Sequence, residues 1–355
     1  MSFIKNGSEY ITSLISEGVK NGSRSATVSG NYEISTAIRL PSDFTLYLND
    51  CHLRMADDVK DNMFINEHHE TEIGKTLAGR DHNIRIIGNG NAIIDGGKYN
   101  GLSESVSLKN GNPHISKNNL ILFTNVDGIT ICHIACHNQR WWAMNFIYCA
   151  NGHIHDIDFK ACDIGIDPDG NEYHGLFRGR YEDVLVKNAD GIDLRKGSHD
   201  FLIENLTGFN EDDTVALTNL NGYMERRYTI EGLSSDICNV TIRNLNVSSY
   251  CSMIRLLNQG ELKLHDVTIE NVFDTSETCP HLDHGRYGLR IGDADIMYGS
   301  RHSTAEETYN ITVRNLKGRG IAVLHLAGEI GNLVLEDVAS LREETPLLHD
   351  HRTKK

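Results

Sequence analysis

Proline is scarce in this chain, 5 of 355 residues, whereas glycine is not, at 32. That pairing excludes a proline-rich disordered chain and suits a folded protein with many tight corners. No stretch approaches the roughly 18 consecutive apolar residues that a membrane span needs. Basic residues are outnumbered, 34 Lys and Arg against 49 Asp and Glu, for a formal net charge of -15. So acidic a chain is no general binder of nucleic acid or of membrane surfaces, and any pocket it offers an anion must be locally basic. The eight cysteines (Cys51, Cys132, Cys136, Cys149, Cys162, Cys238, Cys251 and Cys279) include no CxxC pair. No zinc or redox centre is therefore expected, nor any cofactor, and buried free thiols are the expectation. Met1 to Tyr10 hold no basic stretch running into an apolar one, so a cytoplasmic location is expected.

What is present is strongly patterned. Ser8 to Lys20 reads as an amphipathic helix, with Ile11, Leu14, Ile15 and Val19 on one face, Ser8 as N-cap and Asn21-Gly22 as terminator. Short β-rich pieces follow, divided by Gly, Asn and Asp. Then one unit recurs: Ile203-Glu-Asn-Leu206, Ile242-Arg-Asn-Leu245, Ile269-Glu-Asn-Val272, Val313-Arg-Asn-Leu316 and Leu335-Glu-Asp-Val338. The tighter intervals of roughly 22 to 27 residues suit one turn of a parallel β-helix with three short strands, and the longer ones a turn plus an inserted loop. Alternation sends Ile and Val inward and Glu, Arg and Thr outward, while Asn and Asp at the corners tolerate left-handed backbone. A leucine-rich repeat would need a consensus that is absent, and a β-sandwich has no reason to repeat one tetrapeptide. The expectation is an all-β, single-stranded, right-handed parallel β-helix of about ten turns. Residues 1–355 form one domain, with an N-terminal capping region (1–25), coils (26–340) and a C-terminal tail (341–355).

The densest acidic cluster is Asn188-Ala-Asp190-Gly-Ile-Asp193, followed by Glu211-Asp212-Asp213-Thr-Val-Ala-Leu217. Asp190 and Asp212 lie about one rung apart in sequence, and rungs stack at about 4.8 Å, so Asp190, Asp212 and Asp213 are expected to share one outer face. Crowded carboxyls hold a proton that isolated ones lose. One protonated and one ionised carboxyl are what glycosidic hydrolysis requires. Asp193 and Asp200 read instead as solvated corners.

These motifs resemble the polygalacturonase-type pectin hydrolases, glycoside hydrolase family 28. Asn188-Ala-Asp-Gly is similar to that family's Asn-Thr-Asp-Gly, and Asp212-Asp-Thr-Val-Ala216 to its Asp-Asp-Cys-Ile-Ala. Asn138-Gln-Arg-Trp-Trp142 is similar to its Asn-Ser-Pro-x-Trp, and Gly88-Asn-Gly-Asn-Ala-Ile-Ile-Asp95-Gly to its Gly-x-Gly-x-Ile-Asp-Gly. The matches run in the family's order over most of residues 25–300. The resemblance implies a pectin-lyase-like solenoid and inverting hydrolysis of an α-linked galacturonide. Asp212 would be general acid, Asp190 and Asp213 would hold the attacking water, and Asn188 would orient them.

The chain departs from the family at two places. Tyr250-Cys-Ser-Met-Ile-Arg255 stands where Gly-His-Gly is expected, and Tyr287-Gly-Leu-Arg290-Ile-Gly292 for one of that motif and Arg-Ile-Lys. Arg255 and Arg290 are thus the candidates to grip a sugar carboxylate. Of Trp141 and Trp142, one is expected in the core and the other, with Trp142 the candidate, as a sugar-stacking platform. His68-His69-Glu70 reads as solvent-exposed rather than as a metal site, Gly88-Asn-Gly-Asn as no dinucleotide loop, and Arg178, Arg180, Arg226 and Arg227 as loop residues. The expected partner is an oligosaccharide or polysaccharide. The alternatives are a polysaccharide lyase, which would need a Lys or Arg base, and a non-catalytic carbohydrate-binding β-helix.

Overall fold

The computed structural model describes residues 2–57, 59–97, 117–161, 164–166, 172–174, 189–278, 286–296 and 298–352. Two parallel ten-stranded sheets run its length. In one, long strands such as His199–Asn210, Ile237–Ser249 and Leu264–Asp274 stack in register. In the other, short strands such as Met144–Ile147, Ile192–Arg195, Val215–Asn219, Ser252–Asn258 and Tyr287–Ile291 do the same. The chain alternates between the two, so each turn contributes one strand to each, and the result is a right-handed parallel β-helix.

The three short strands expected per turn appear as one short strand and one long strand that bends. The bend is the Asn or Asp of the repeat: Asn205, Asn244, Asn271, Asn315 and Asp337 all have φ between 51° and 59°. Only residues that tolerate left-handed backbone fit there. Each asparagine also donates to its neighbour one turn back, Asn244 to Asn205 at 3.2 Å, Asn271 to Asn244 at 3.1 Å and Asn315 to Asn271 at 2.8 Å. On either side of the bend, Ile203, Leu206, Ile242, Leu245, Ile269 and Val272 are fully buried. Each such side chain contributes about 1.5–3 kcal/mol on leaving water.

The N-terminal helix spans Gly7–Lys20 and covers the first coil with Ile11 and Ile15. Its apolar face is narrower than expected, for Val19 is exposed and Gly18 takes its place, because a β-carbon there would sit 2.4 Å from the Ser25 carbonyl oxygen. Ser8 is not the N-cap. Asn6 holds that position, and the Ser8 hydroxyl donates to the Thr36 carbonyl (3.0 Å) and accepts from the Ser35 and Thr36 amides (3.0 and 3.1 Å), tying helix to coil. At the other end the coils continue beyond residue 340. Leu348–Arg352 pairs with Ala322–Gly328 as the tenth short strand, although its Leu-His-Asp-His-Arg sequence lacks the usual alternation.

Among the described residues, inserted segments lie beside the short sheet. One of them, between Val215–Asn219 and Ile237–Ser249, carries the short helix Tyr223–Arg226. It lays Tyr228 and Ile230 against Ile65, Leu122, Ile147, Trp141 and Trp142, so that the outer face of the short sheet is dry there. Buried Lys196 fastens this segment, donating to Asn221 Oδ1 (2.7 Å) and Thr229 Oγ1 (3.0 Å).

Candidate active site

Parallel pairing of Ile192 with Val215 and of Val215 with Ile254 puts the residues before these strands side by side on the outer face of the short sheet. Asp190 and Asp213 are therefore rung neighbours, and the Asp213 amide donates to Asp190 Oδ1 at 3.0 Å. The rung offset is thus 23 residues rather than the 22 separating Asp190 from Asp212. Asp212 sits beside them, its amide donating to the Ala189 carbonyl at 3.4 Å. The structure brings together the three carboxyls singled out from sequence, with one oxygen of each within 4.8 Å of the others.

All three are buried, Asp212 8%, Asp190 5% and Asp213 1% exposed. Asp193 is no solvated corner. Register places it outward on the same face, but neighbouring side chains cover it completely. Burial, reinforced by the charges of Asp193, Asp212 and Asp213, drives Asp190 well above the ordinary carboxylate range. Burial likewise raises Asp193 to about 7, against the opposing pull of Arg195. Asp213 is pushed up by burial and held back by Arg255 and Arg290. The cluster thus retains protons at neutral pH that isolated aspartates would lose. By contrast Asp200 is a corner, with φ of 59° and its partner Asn239 one coil on.

Cations ring the acids. Arg255 Nη1 lies 3.5 Å from Asp213 Oδ2, and its other terminal nitrogen donates to Asp293 at 2.7 Å. Arg290 contacts the second oxygen of the same Asp293 at 2.5 Å, so one buried carboxylate bridges both arginines. Arg195 lies between Asp193 (3.5 Å) and Glu225 (3.1 Å), the latter delivered by the inserted helix Tyr223–Arg226. Cys251 adjoins Asp212 and Asp213, and burial together with those two charges raises its thiol well above the usual range. Asp190, Asp212, Asp213, the three arginines and the tryptophans line a cleft of about 240 Å³, with Asp193 and Asp293 behind its wall.

Several expectations change here. Trp141 and Trp142 are both buried, 3% and 4% exposed. Trp142 is no open stacking platform, because the Arg195 guanidinium covers one ring face 3.9 Å from its centre. Arg290 does reach the cleft, as does Arg255. Asn188, Arg178 and Arg180 lie outside the described residues. Arg227 pairs with Glu70, and Arg226 is exposed, so neither lends charge to the cleft. The histidine pair is not simply solvated. His69 is buried against Thr124 (3.0 Å), which lowers it to about 3, chiefly by desolvation, while His68 meets Asp81 at 2.7 Å. Arg195, Glu225 and Asp293 were not singled out from sequence. Glu225 and Asp293 carry no motif, and only the folded loops bring them in.

No family model matches the sequence, and no curated protein does. The fold, however, is shared with solved structures. An exopolygalacturonase from Thermotoga maritima superposes with a TM-score of 0.57 at 15% identity, over 97% of this chain and 88% of that one. An endo-xylogalacturonan hydrolase from Aspergillus tubingensis gives 0.55 at 14% identity, over 96% and 92%. The tailspike of E. coli bacteriophage HK620, solved with a pentasaccharide, gives 0.52 at 12% identity, over 97% and 62%.

Proposed function

We propose that this protein is a glycoside hydrolase acting on galacturonide-containing or related pectic oligosaccharides through carboxylate acid/base catalysis. The observation that carries the reading is the convergence of Asp190, Asp212 and Asp213, oxygens within 4.8 Å, in a cleft lined by tryptophan and arginine. Similarity of fold to enzymes named for such substrates supports it.

The motif resemblance distributes the roles. Asp212 is the outermost of the three and meets the glycosidic oxygen as proton donor. Asp190 and Asp213 hold the attacking water: Asp190, which burial keeps protonated, orients it, and Asp213, drawn toward its charged form by Arg255 and Arg290, is the base. In this reading hydrolysis proceeds with inversion, as the motif resemblance implies. The spacing is tighter than the roughly 6.5–9.5 Å usual for inverting pairs, so the anomer released first, read by proton NMR, is a direct test. Retention would overturn these roles.

The Asp212→Asn variant keeps the shape and removes the acid. Activity on natural substrates should fall about 10²- to 10⁴-fold, and less on aryl glycosides, whose leaving group needs little protonation. Equal losses on both, or none, would transfer the role, with Asp213 next to test.

Arg290 and Arg255 select the sugar in this reading, and Arg290→Ala should lose acidic substrates preferentially. Asp293, already bridging both guanidiniums, favours a second reading in which the sugar at that position is neutral. Under it Arg290→Ala lowers acidic and neutral substrates alike. A lyase is disfavoured. Burial alone would ease proton loss from Arg255, but Asp213 and Asp293 outweigh it and hold its guanidinium charged, so it offers no base.

A further inference from the structure

The long sheet carries its own anomaly. Its left-handed corner column reads Asp156, Asn205, Asn244, Asn271, Asn315 and Asp337 from the fifth coil onward, but the fourth coil has His133, at φ 58°. In the outward row beside it, Cys132 pairs with His155, which pairs with Glu204, then Arg243, Glu270, Arg314 and Glu336. From Glu204 onward that row is an alternating charge ladder, with Arg243 on Glu204 (2.7 Å) and Arg314 on both Glu270 (3.1 Å) and Glu336 (2.9 Å). At Cys132 and His155 the ladder gives way to a thiol and an imidazole.

On a straight strand Cys132 and His133 would point apart. The left-handed bend turns both toward His155 on the next coil, and one ligand atom from each of the three lies within 4.8 Å of the others. Asp156 then engages His155, with Oδ2 2.6 Å from Nδ1, and stands 3.7 Å from His133 Nδ1. A carboxylate on one ring nitrogen orients the ring and makes the other nitrogen a better donor. Two imidazoles and a thiolate suit a borderline-soft divalent ion, and three protein ligands plus water complete a tetrahedron. Zinc needs donor atoms about 3.4–3.6 Å apart, from bonds of about 2.0–2.3 Å, so the side chains must close by about 1 Å. His133 is exposed, so solvent rather than packed side chains borders its ring on the outer side. Cys136, four residues on, points into the core instead and is inaccessible.

We propose that Cys132, His133 and His155 form a zinc site, supported by Asp156, that fastens the fourth coil to the fifth on the sheet away from the cleft. The site is independent of the glycosidase reading. The test is titration of reduced, tag-free full-length protein with cobalt(II), followed by zinc competition and metal analysis. One cobalt per chain is expected, with a thiolate-to-cobalt absorption band that zinc abolishes. Cys132→Ser should lose the band, His155→Gln should weaken binding at least about 10-fold, and Asp156→Asn by about 10- to 100-fold. A His349→Gln/His351→Gln control should bind as wild type. Circular dichroism confirms that each variant is folded. Absence of the band, or undiminished affinity in both Cys132→Ser and His155→Gln, overturns the proposal.

Discussion

The two sheets of this solenoid share a spacing and a handedness but spend their outer faces differently. On the long sheet, asparagines hydrogen-bond to asparagines, and glutamates face arginines, from one coil to the next. On the short sheet, Asp190, Asp193, Asp212 and Asp213 crowd together out of water, and arginines must be held nearby to balance them. The long face repeats because repetition satisfies it. The short face is unrepeated because it holds charges that no regular pattern would bring together. Substitutions should accordingly be mild and local on the first face, and costly or even stabilising on the second.

The largest effect is expected at Asp293. Asp293→Ala leaves Arg255 and Arg290 without their shared partner, and should cost about 3–5 kcal/mol in urea unfolding, the range for breaking a buried pair. A loss below about 1 kcal/mol would mean that water already screens this face and would break the contrast. Asp193 tests it with the opposite sign. Its folded pKa of about 7 lies above its unfolded value of about 3.9. The native state therefore keeps a proton that the unfolded chain releases, and stability falls as pH rises from about 4 to 7, then levels. Asp193→Asn should flatten that slope and gain at most about 4 kcal/mol at pH 7, taking three units at 1.36 kcal/mol each. Urea unfolding at pH 5 and 7.5 reads this, and an unchanged slope assigns the retained proton to Asp190 or Asp213. The smallest effect belongs to the long face. Asn271→Ala imposes about 1–2 kcal/mol of left-handed strain and removes two exposed hydrogen bonds. Asn271→Gly removes the bonds without the strain, so the difference between the two midpoints isolates the backbone contribution. Glycosidase activity should not change in either variant.

The same division explains what could be read from sequence. The long face writes its structure locally, since each Ile-x-Asn-Leu unit specifies inward side chains and a left-handed bend within four residues. Coil number, corner asparagines and core were all legible there. The aspartates of the short face were legible because they sit in two compact motifs one coil apart. Their register was off by one, because the fold aligns Asp190 with Asp213 rather than Asp212. Asp293 and Glu225 were not legible, since each arrives on an inserted segment whose path no local pattern fixes. The proposed zinc ligands Cys132, His133 and His155 were not legible for a related reason. No compact ligand motif joins them along the chain, whereas stacking places His155 beside Cys132 from 23 positions away.

Strict register on the short sheet has a consequence for how such a cleft changes. Asn145, Asp193, Ala216, Arg255, Arg290 and His325 occupy one outward row, one per coil. Moving one place along that row displaces a side chain by about 4.8 Å without disturbing the core beneath, whose contacts come from alternate positions. Under the proposed function the row is a linear array of separate addresses along the cleft. In this row a carboxylate occupies the fifth coil, an alanine the sixth, and guanidiniums the seventh and eighth. Exchanging the outward residue of one coil therefore shifts where along a chain-like ligand a given group acts, while the scaffold that spaces those groups stays the same.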